Sequence, residues 1–215
     1  DEATAAAWKA VSGAAVPTPD VRRASIGNIR HPKEQAEALA FEAFRQASMA
    51  DMLRALAHAI REAAPNKLSV FFYGYLFEFA GVPNGPANSG HYALRTLLAC
   101  PDIDMLCAPI SYFHRGLGGA TTVMTAAESV PLAGKMWLNE DDTRTHLTKE
   151  TSFPGWKDGG TNLSETRSLL VRNVASEACR NIATWWMDLG GSGWFEDPAL
   201  WDEMKKLGPV DDHFM

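Results

Sequence analysis

Apolar residues recur at helical spacing across residues 33–64 of the chain. The positions that carry this period are Leu39, Phe41, Phe44, Met49, Met52, Leu53, Leu56 and Ile60. The pattern predicts a long helix with an apolar, core-facing stripe, and Pro65 ends it. Residues 1–33 have no clean period and contain several proline breaks, so we expect an irregular connector there.

After this helix the period changes, and four short apolar runs have the composition of buried strands. They span residues 68–73, 103–108, 132–138 and 182–186. Further helices are predicted from Ser89 to about Cys100, from Asn162 to about Arg180 and from Asp197 to about Leu207. Asn162 and Asp197 are N-cap residues of the last two helices, and Pro198 suits a first helical position. Residues 208–215 are expected to form a tail.

Strands that alternate with helices predict parallel βαβ units, in either an open doubly wound sheet or a closed barrel. The chain has no glycine-rich phosphate loop between a predicted strand and a predicted helix. Instead, polar and aromatic residues follow directly after the strands, where barrels build their active sites. The sequence therefore predicts an α/β fold of the (β/α)8 TIM-barrel type, with a parallel sheet, over residues 34–207.

The segment after the third predicted strand holds the strongest candidate for catalysis. Asn139, Glu140, Asp141 and Asp142 follow this strand directly, and Arg144 comes close behind. At the mouth of a barrel, the carboxylate of Glu140 would suit attack on an anomeric carbon or stabilisation of an oxocarbenium-like transition state. Arg144 is expected to favour the charged form of Glu140 or Asp141. The alternative is a solvated acidic turn with a surface ion pair.

Other residues near the strand ends are candidates for substrate binding. They are Tyr73, Tyr75, Tyr112, Asn139, Asp141, Arg144, Trp186 and Asp188. Since neighbouring residues of a strand face opposite sides, only one of Trp185 and Trp186 can face a barrel interior, and Trp186 is the candidate stacking platform. The alternatives are tyrosines that belong to the core, and an Asp188 that caps the glycine-rich loop after it.

Composition narrows the range of partners. The net charge of −6 and the lack of a basic cluster argue against a nucleic-acid partner. No run of about 18 apolar residues occurs, so no membrane span is expected.

The chain has no HExxH motif and no Cys/His ligand spacing, so neither a metal site nor a cofactor is predicted. Cys100, Cys107 and Cys179 are an odd, sparse set and are expected to be buried free thiols. The sequence indicates no particular compartment.

Six short segments near the predicted strand ends form a further pattern. They are Tyr73-Gly74-Tyr75, Ser89-Gly90-His91, Pro101-Asp102-Ile103-Asp104, Ala108-Pro109-Ile110-Ser111-Tyr112, Arg115-Gly116-Leu117-Gly118-Gly119 and Asn139-Glu140-Asp141-Asp142-Thr143-Arg144-Thr145-His146. Together they resemble the later part of the catalytic barrel of glycoside hydrolase family 42 and the β-galactosidase-like proteins around it. The likeness covers about residues 30–207, and the segment around Glu140 is the most specific.

The resemblance implies which part of a barrel this chain holds. In such retaining barrels the nucleophile is a Glu at the end of strand seven, and the proton donor is a Glu at the end of strand four. The predicted strands would then be strands five to eight, and Glu140 would be the nucleophile. The proton donor should lie before the first predicted strand, but no Glu in residues 1–67 ends a recognisable strand. The acid/base is therefore expected to be missing from this chain; Glu78, in an apolar setting, is a poorer match.

Three functions follow as hypotheses. The first is a retaining glycoside hydrolase that acts on β-glycosides and whose activity needs an acid/base that the isolated chain is expected to lack. The second is a non-catalytic carbohydrate-binding protein with a degenerate barrel, and the third is an inactive half-barrel that serves in folding or assembly. A carbohydrate is the expected substrate or ligand. Because half a barrel leaves two sheet edges and an inner face uncovered, we also expect self-association or pairing with the missing half.

Overall fold

A computed structural model describes residues 1–23, 31–76, 90–120, 123–149 and 159–214, with the side chains of residues 23 and 210–214 left out. The chain divides into two compact units. The first contains residues 1–67 and 75–102, and the second contains residues 68–74 and 103–215. The predicted Ser89 cap and Glu78 lie outside the described residues.

The first unit is helical. Its helices are α1 (Glu2–Ser12), α2 (Pro19–Arg23), α3 (Ala36–Ala63) and α4 (Leu94–Leu98). The predicted long helix is confirmed as α3, but Met52, Leu56 and Ile60 of its apolar stripe are exposed. The helix predicted up to about Cys100 is confirmed over the short span of α4.

The prediction of an irregular connector over residues 1–33 is wrong, because α1 and α2 lie there. Asp1 caps α1 by accepting a hydrogen bond from the Thr4 backbone N–H at 2.7 Å. Gly13, in the left-handed conformation with φ of 73°, ends the helix. Trp8 is the one buried residue of α1, and its ring centroid lies 5.4 Å from that of Phe41 in α3. A helix that buries a single side chain has no apolar period to reveal it.

The second unit contains an all-parallel sheet. Its strands are β1 (Val70–Phe72), β2 (Met105–Pro109), β3 (Met136–Asp141) and β4 (Ala183–Trp186), and they lie side by side in chain order. The helices of this unit are α5 (Ser129–Leu132), α6 (Leu163–Ala178) and α7 (Pro198–Phe214). The chain therefore has an α/β fold with a four-stranded parallel sheet.

The third predicted strand is displaced along the sequence. Leu132 ends α5, and β3 begins only at Met136 and continues through the polar residues Asn139, Glu140 and Asp141. The strand is longer at its carboxyl end because the Asn139 and Asp141 side chains find hydrogen-bond partners within the fold. The last helix also continues past the predicted end at Leu207 and takes in most of the expected tail.

Helices α6 and α7 pack together, and with the loop before α7 they form an apolar cluster in the second unit. Its buried residues are Leu170, Val174, Trp194, Phe195, Leu200, Met204 and Leu207. Burial of these side chains holds α7 on α6, and burial of this kind contributes about 1.5–3 kcal/mol for each large apolar side chain. Among the described residues no helix is long and apolar enough to cross a bilayer.

The cysteine prediction is confirmed for two of the three residues. Cys100 and Cys107 are buried free thiols, whereas Cys179 is free and exposed. Cys179 directly follows α6, and its neighbour Ala178 takes the buried position at the end of that helix. The expectation that all three thiols are buried is therefore wrong for Cys179.

The start of α6 follows the predicted cap. The Asn162 side chain accepts a hydrogen bond from the Glu165 backbone N–H at 3.0 Å. The Glu165 carboxylate accepts from the Thr161 backbone N–H at 2.8 Å, so the returning bond of the capping box goes to the residue before the cap. These two bonds satisfy backbone donors that the first turn of a helix leaves without partners.

We expect Asn162→Ala to lower the free energy of unfolding by about 1 kcal/mol, because it removes the acceptor at the start of α6. Urea unfolding followed by circular dichroism measures this loss. Asn162→Asp, which keeps an acceptor of the same shape, should cost much less. Equal losses for both variants would show that this cap does not stabilise the fold.

Candidate functional site

The carboxyl ends of β2, β3 and β4 place three side chains in one row. Pro109, Glu140 and Trp185 are partners in register across these strands. Residues in register on a parallel sheet point to the same face. Glu140 and Trp185 therefore share one face of the sheet, at the end where parallel α/β proteins hold their sites.

On the opposite face of the sheet, α6 contacts β3 and β4 through buried polar side chains. The Asn139 amide donates to the Glu177 carboxylate at 2.9 Å, and the Thr184 hydroxyl donates to the same carboxylate. The Asn173 amide donates to Asp141 Oδ2 at 2.9 Å. We call Asn139, Asp141, Thr143, Asn173 and Glu177 the polar ladder; Thr143 joins it by accepting from Asn173 at 2.9 Å. The ladder fixes which face of β3 meets α6.

The ladder therefore separates two predicted binding residues from Glu140. Asn139 and Asp141 alternate with Glu140 along β3 and point to the α6 side. Asp141 is fully buried, and its second oxygen accepts from the Thr143 backbone N–H at 3.0 Å. Both side chains are occupied by protein partners, so the structure does not bring them to the face that carries Glu140.

The Glu140 carboxyl group is in an unusual electrostatic setting. The residue is 6% exposed, and burial raises its pKa to about 7, helped by the charge of Asp142 and opposed by that of Arg115. The sequence predicts a carboxylate, Glu140 or Asp141, that Arg144 holds in its charged form. For Glu140 this prediction is wrong, because its pKa is raised and the cation that acts on it is Arg115.

Arg115 is the buried cation of the site. Its guanidinium lies 2.6 Å from Asp142 Oδ1 and donates to the backbone oxygens of Ser111 at 2.7 Å and Ile110 at 2.5 Å. It also lies over the ring of Tyr112, 4.5 Å from the centroid. Tyr112, a predicted binding residue, is thus next to the charged groups near Glu140.

Arg144 belongs to the same group of charges as Arg115 and Asp142. Its pKa is lowered, first by burial and then by the nearby charge of Arg115, while Asp142 opposes the shift. Its backbone oxygen accepts from the Gly160 backbone N–H at 3.2 Å. Arg144 therefore helps to hold the loop after β3 in place.

The two neighbouring tryptophans of β4 have exchanged their predicted roles. Trp186 is in register with Asp141 and packs against the α6–α7 cluster. Trp185 is in register with Glu140 and lies by Cys107, where its indole lowers the pKa of a thiol that burial raises to about 12. Of these two tryptophans, Trp185 is the one that lies on the face of Glu140.

The remaining predicted residues lie in other settings. Tyr73 is buried, next to β1 on the side opposite Phe72. Tyr75 belongs to the first unit, where its ring centroid is 4.8 Å from that of His91. Asp188 accepts from the backbone N–H groups of Ser192 at 3.0 Å and Gly193 at 2.8 Å. It caps its loop, as the alternative interpretation of the sequence expects.

Helix α6 also anchors the loop that carries Arg115. The Arg172 guanidinium donates to the backbone oxygens of Arg115 at 2.9 Å, Gly116 at 2.8 Å and Gly119 at 3.0 Å. Gly119 is required in this loop, because a Cβ atom there would lie 2.1 Å from the His114 backbone oxygen. The same helix thus supports the loop after β2 and the polar face of β3.

Sequence patterns missed Trp185, Arg115 and Arg172. The alternation of side chains along a strand does not identify Trp185 as the residue beside Glu140. That step needs the register between β3 and β4, which the sequence does not contain. Arg115 was noted only within a glycine-rich segment, and its pairing with Asp142 joins residues 27 positions apart. Among the described residues no group of three or more His, Cys, Asp or Glu side chains is arranged to hold a metal ion.

Comparison with protein-family models found no matching family, and searches of curated proteins and of solved structures found no match either.

The raised pKa of Glu140 predicts a pH-dependent cost to stability. From its ordinary value of 4.5 the pKa of Glu140 rises to about 7 in the folded chain, so ionisation of Glu140 opposes folding progressively as the pH rises through this window. Glu140→Gln carries no side-chain charge at any pH. Its free energy of unfolding, relative to that of the parent chain, should therefore increase by roughly 1–3 kcal/mol from pH 5 to pH 8. Urea unfolding at both pH values measures the difference.

The matched control is Glu128→Gln, which changes an exposed glutamate of the same unit. Its effect on unfolding should be nearly the same at both pH values. If Glu140→Gln also behaved identically at pH 5 and pH 8, the carboxyl group would not be titrating in this window.

Proposed function

We propose that this chain is the second half of a (β/α)8 barrel from a retaining glycoside hydrolase, with β-glycosides of the β-galactoside type as substrates. The observation that carries the proposal is the row at the strand ends. A carboxylate, Glu140, and an indole, Trp185, share the sheet face that α6 does not cover. A carboxylate beside a flat apolar surface suits a sugar ring, whose reacting carbon must meet an oxygen nucleophile.

The sheet supports the half-barrel. Strands in chain order, all parallel, match consecutive strands of a barrel. Within the described residues β1 and β4 each have one unpaired edge. On the face away from α6, Val70 is 43%, Phe72 47% and Met136 38% exposed, and these three side chains are apolar. Four more strands would pair both edges and cover this face.

In the proposed reaction Glu140 attacks the anomeric carbon of the glycoside. A bond forms between a Glu140 oxygen and this carbon, while the bond to the leaving-group oxygen breaks and its electron pair departs with that oxygen. A second carboxyl group about 5 Å away supplies the proton and later activates water. That group would come from the missing half of the barrel or from another chain.

A non-catalytic carbohydrate-binding protein is the second candidate. It is favoured by one observation: with a pKa of about 7, Glu140 is only partly ionised at neutral pH, whereas a nucleophile must be charged. A protonated Glu140 could still hydrogen-bond a sugar hydroxyl. Covalent labelling separates the two functions, because binding alone leaves no bond to Glu140.

We expect the chain to react with a 2-deoxy-2-fluoro-β-galactoside that carries a dinitrophenolate leaving group. This leaving group needs no proton, so the reaction depends on the nucleophile and not on the missing acid. Intact mass spectrometry should show the addition of one fluorosugar, and peptide mapping should place it on Glu140. Because only ionised Glu140 attacks, the rate of labelling should rise with pH and level off above about 7.

Glu140→Gln should abolish labelling, and Glu128→Gln, an exposed glutamate far from the strand ends in sequence, should leave it unchanged. Trp185→Ala should slow labelling by about tenfold or more if the indole supports the sugar ring. Sugar binding without any covalent adduct, in the parent chain at pH 8, would support the binding protein and reject the glycosidase.

The isolated chain should self-associate through the uncovered sheet face. Light scattering coupled to size-exclusion chromatography should give a mass above the 23.5 kDa of one chain. Phe72→Lys combined with Met136→Lys should reduce that mass, because it places charges among the exposed apolar side chains. A monomeric parent chain would contradict the half-barrel.

A further inference from the structure

We propose that the buried Arg115–Asp142 ion pair is the positioning element of the Glu140 site: it joins the ends of β2 and β3 and holds two opposite charges in place beside Glu140. Its consequence for catalysis rests on the proposed function, but the arrangement itself is a property of the fold. Neither Arg115 nor Asp142 would touch the reacting atoms; both act through Glu140.

The Arg115 guanidinium bonds to residues at the ends of two neighbouring strands, and we call this arrangement the clamp. On the β2 side it donates to the backbone oxygens of Ile110 and Ser111. On the β3 side it lies 2.6 Å from Asp142 Oδ1 and donates to the Asp142 backbone oxygen at 3.2 Å. The strands are already paired up to Pro109 and Glu140. The clamp continues that pairing by side-chain bonds where the backbone ladder stops.

The charges that act on Glu140 come from its own segment and from the loop after β2. Asp142 on its own segment and Arg115 after β2 act in opposite directions. Cys107 of β2 also interacts with Glu140, and Trp185 of β4 is neutral. Arg144 acts on Arg115 and Asp142. Asp141 and Glu177 face the α6 side within the polar ladder, so among the described residues the ion pair holds the charges that oppose each other at Glu140.

This arrangement predicts opposite effects for the two halves of one ion pair. Asp142→Asn removes a negative charge and leaves Arg115 unpaired, so Glu140 should ionise at lower pH. Arg115→Met removes the positive charge, so Glu140 should ionise at higher pH. Arg115→Lys keeps the positive charge but loses the planar guanidinium and its several N–H donors. The ionisation midpoint of Glu140 should stay near that of the parent chain, although the variant should be less stable. An ion pair that only held the strand ends together would not move the ionisation midpoint of Glu140 in opposite directions in Asp142→Asn and Arg115→Met.

The test is a titration of the full chain labelled with ¹³C at the glutamate side-chain carboxyl. The Glu140 resonance is the one missing from Glu140→Gln. Its midpoint should lie near pH 7 in the parent, about one pH unit or more lower in Asp142→Asn, and higher in Arg115→Met. Midpoints that stay unchanged in Asp142→Asn, or that move in the same direction in both variants, would overturn the proposal.

Asp142→Asn preserves the shape of the side chain, so it keeps the test decisive if Arg115→Met fails to fold. Measuring fluorosugar labelling against pH in the same variants separates this proposal from the proposed function. Shifted midpoints without any labelling reject the glycosidase and keep the ion pair as the controlling element. Labelling at Glu140 with unshifted midpoints rejects the role of the ion pair but leaves the proposed glycosidase function standing.

Discussion

The polar ladder between β3 and α6 is the contact on which the candidate site depends. Asn173 and Glu177 place an amide and a carboxylate on a buried face of α6, where each needs a hydrogen-bond partner. Asn139 and Asp141 supply those partners from alternate positions of β3. A shift of one residue in β3 would break these buried contacts between the strand and the helix, so the ladder selects one face of the strand for α6 and the other for Glu140.

The same constraint explains why so few of the polar residues after the strands are available to a ligand. Three of the acids near the strand ends have protein partners: Asp141 in the ladder, Asp142 in the pair with Arg115, and Asp188 in its own loop. Glu140 is the acid that lies on the face away from α6, where it is buried. Its raised pKa follows from that position, because a buried carboxyl group beside another acid is costly to ionise.

Sequence patterns predicted the elements whose formation depends on residues close together in the sequence. The period of α3, the Asn162 cap of α6 and the apolar character of the four strands were sufficient for those elements. Patterns failed where a partner distant in sequence decides the outcome. β3 continues through Asn139 and Asp141 only because α6 offers matching polar groups, and no local pattern contains that fact.

The two tryptophans of β4 illustrate the same limit. Strand alternation showed that Trp185 and Trp186 face opposite sides, which is correct, but not which of them shares a face with Glu140. That choice depends on the β3–β4 register, which the ladder and the Thr184–Glu177 bond help to fix. Arg115 was likewise hidden, since its pairing with Asp142 exists only once β2 and β3 lie side by side.

The central claim, that Glu140 and Trp185 share the face away from α6, can be tested with 5-fluorotryptophan in the seven tryptophan positions. Fluorine NMR against pH, with resonances assigned by Trp→Phe variants, reports which indole senses the ionisation of Glu140. We expect the Trp185 resonance to move with a midpoint near pH 7, to stop moving in Glu140→Gln, and Trp186 to stay still. Movement of Trp186 in place of Trp185 would contradict the account.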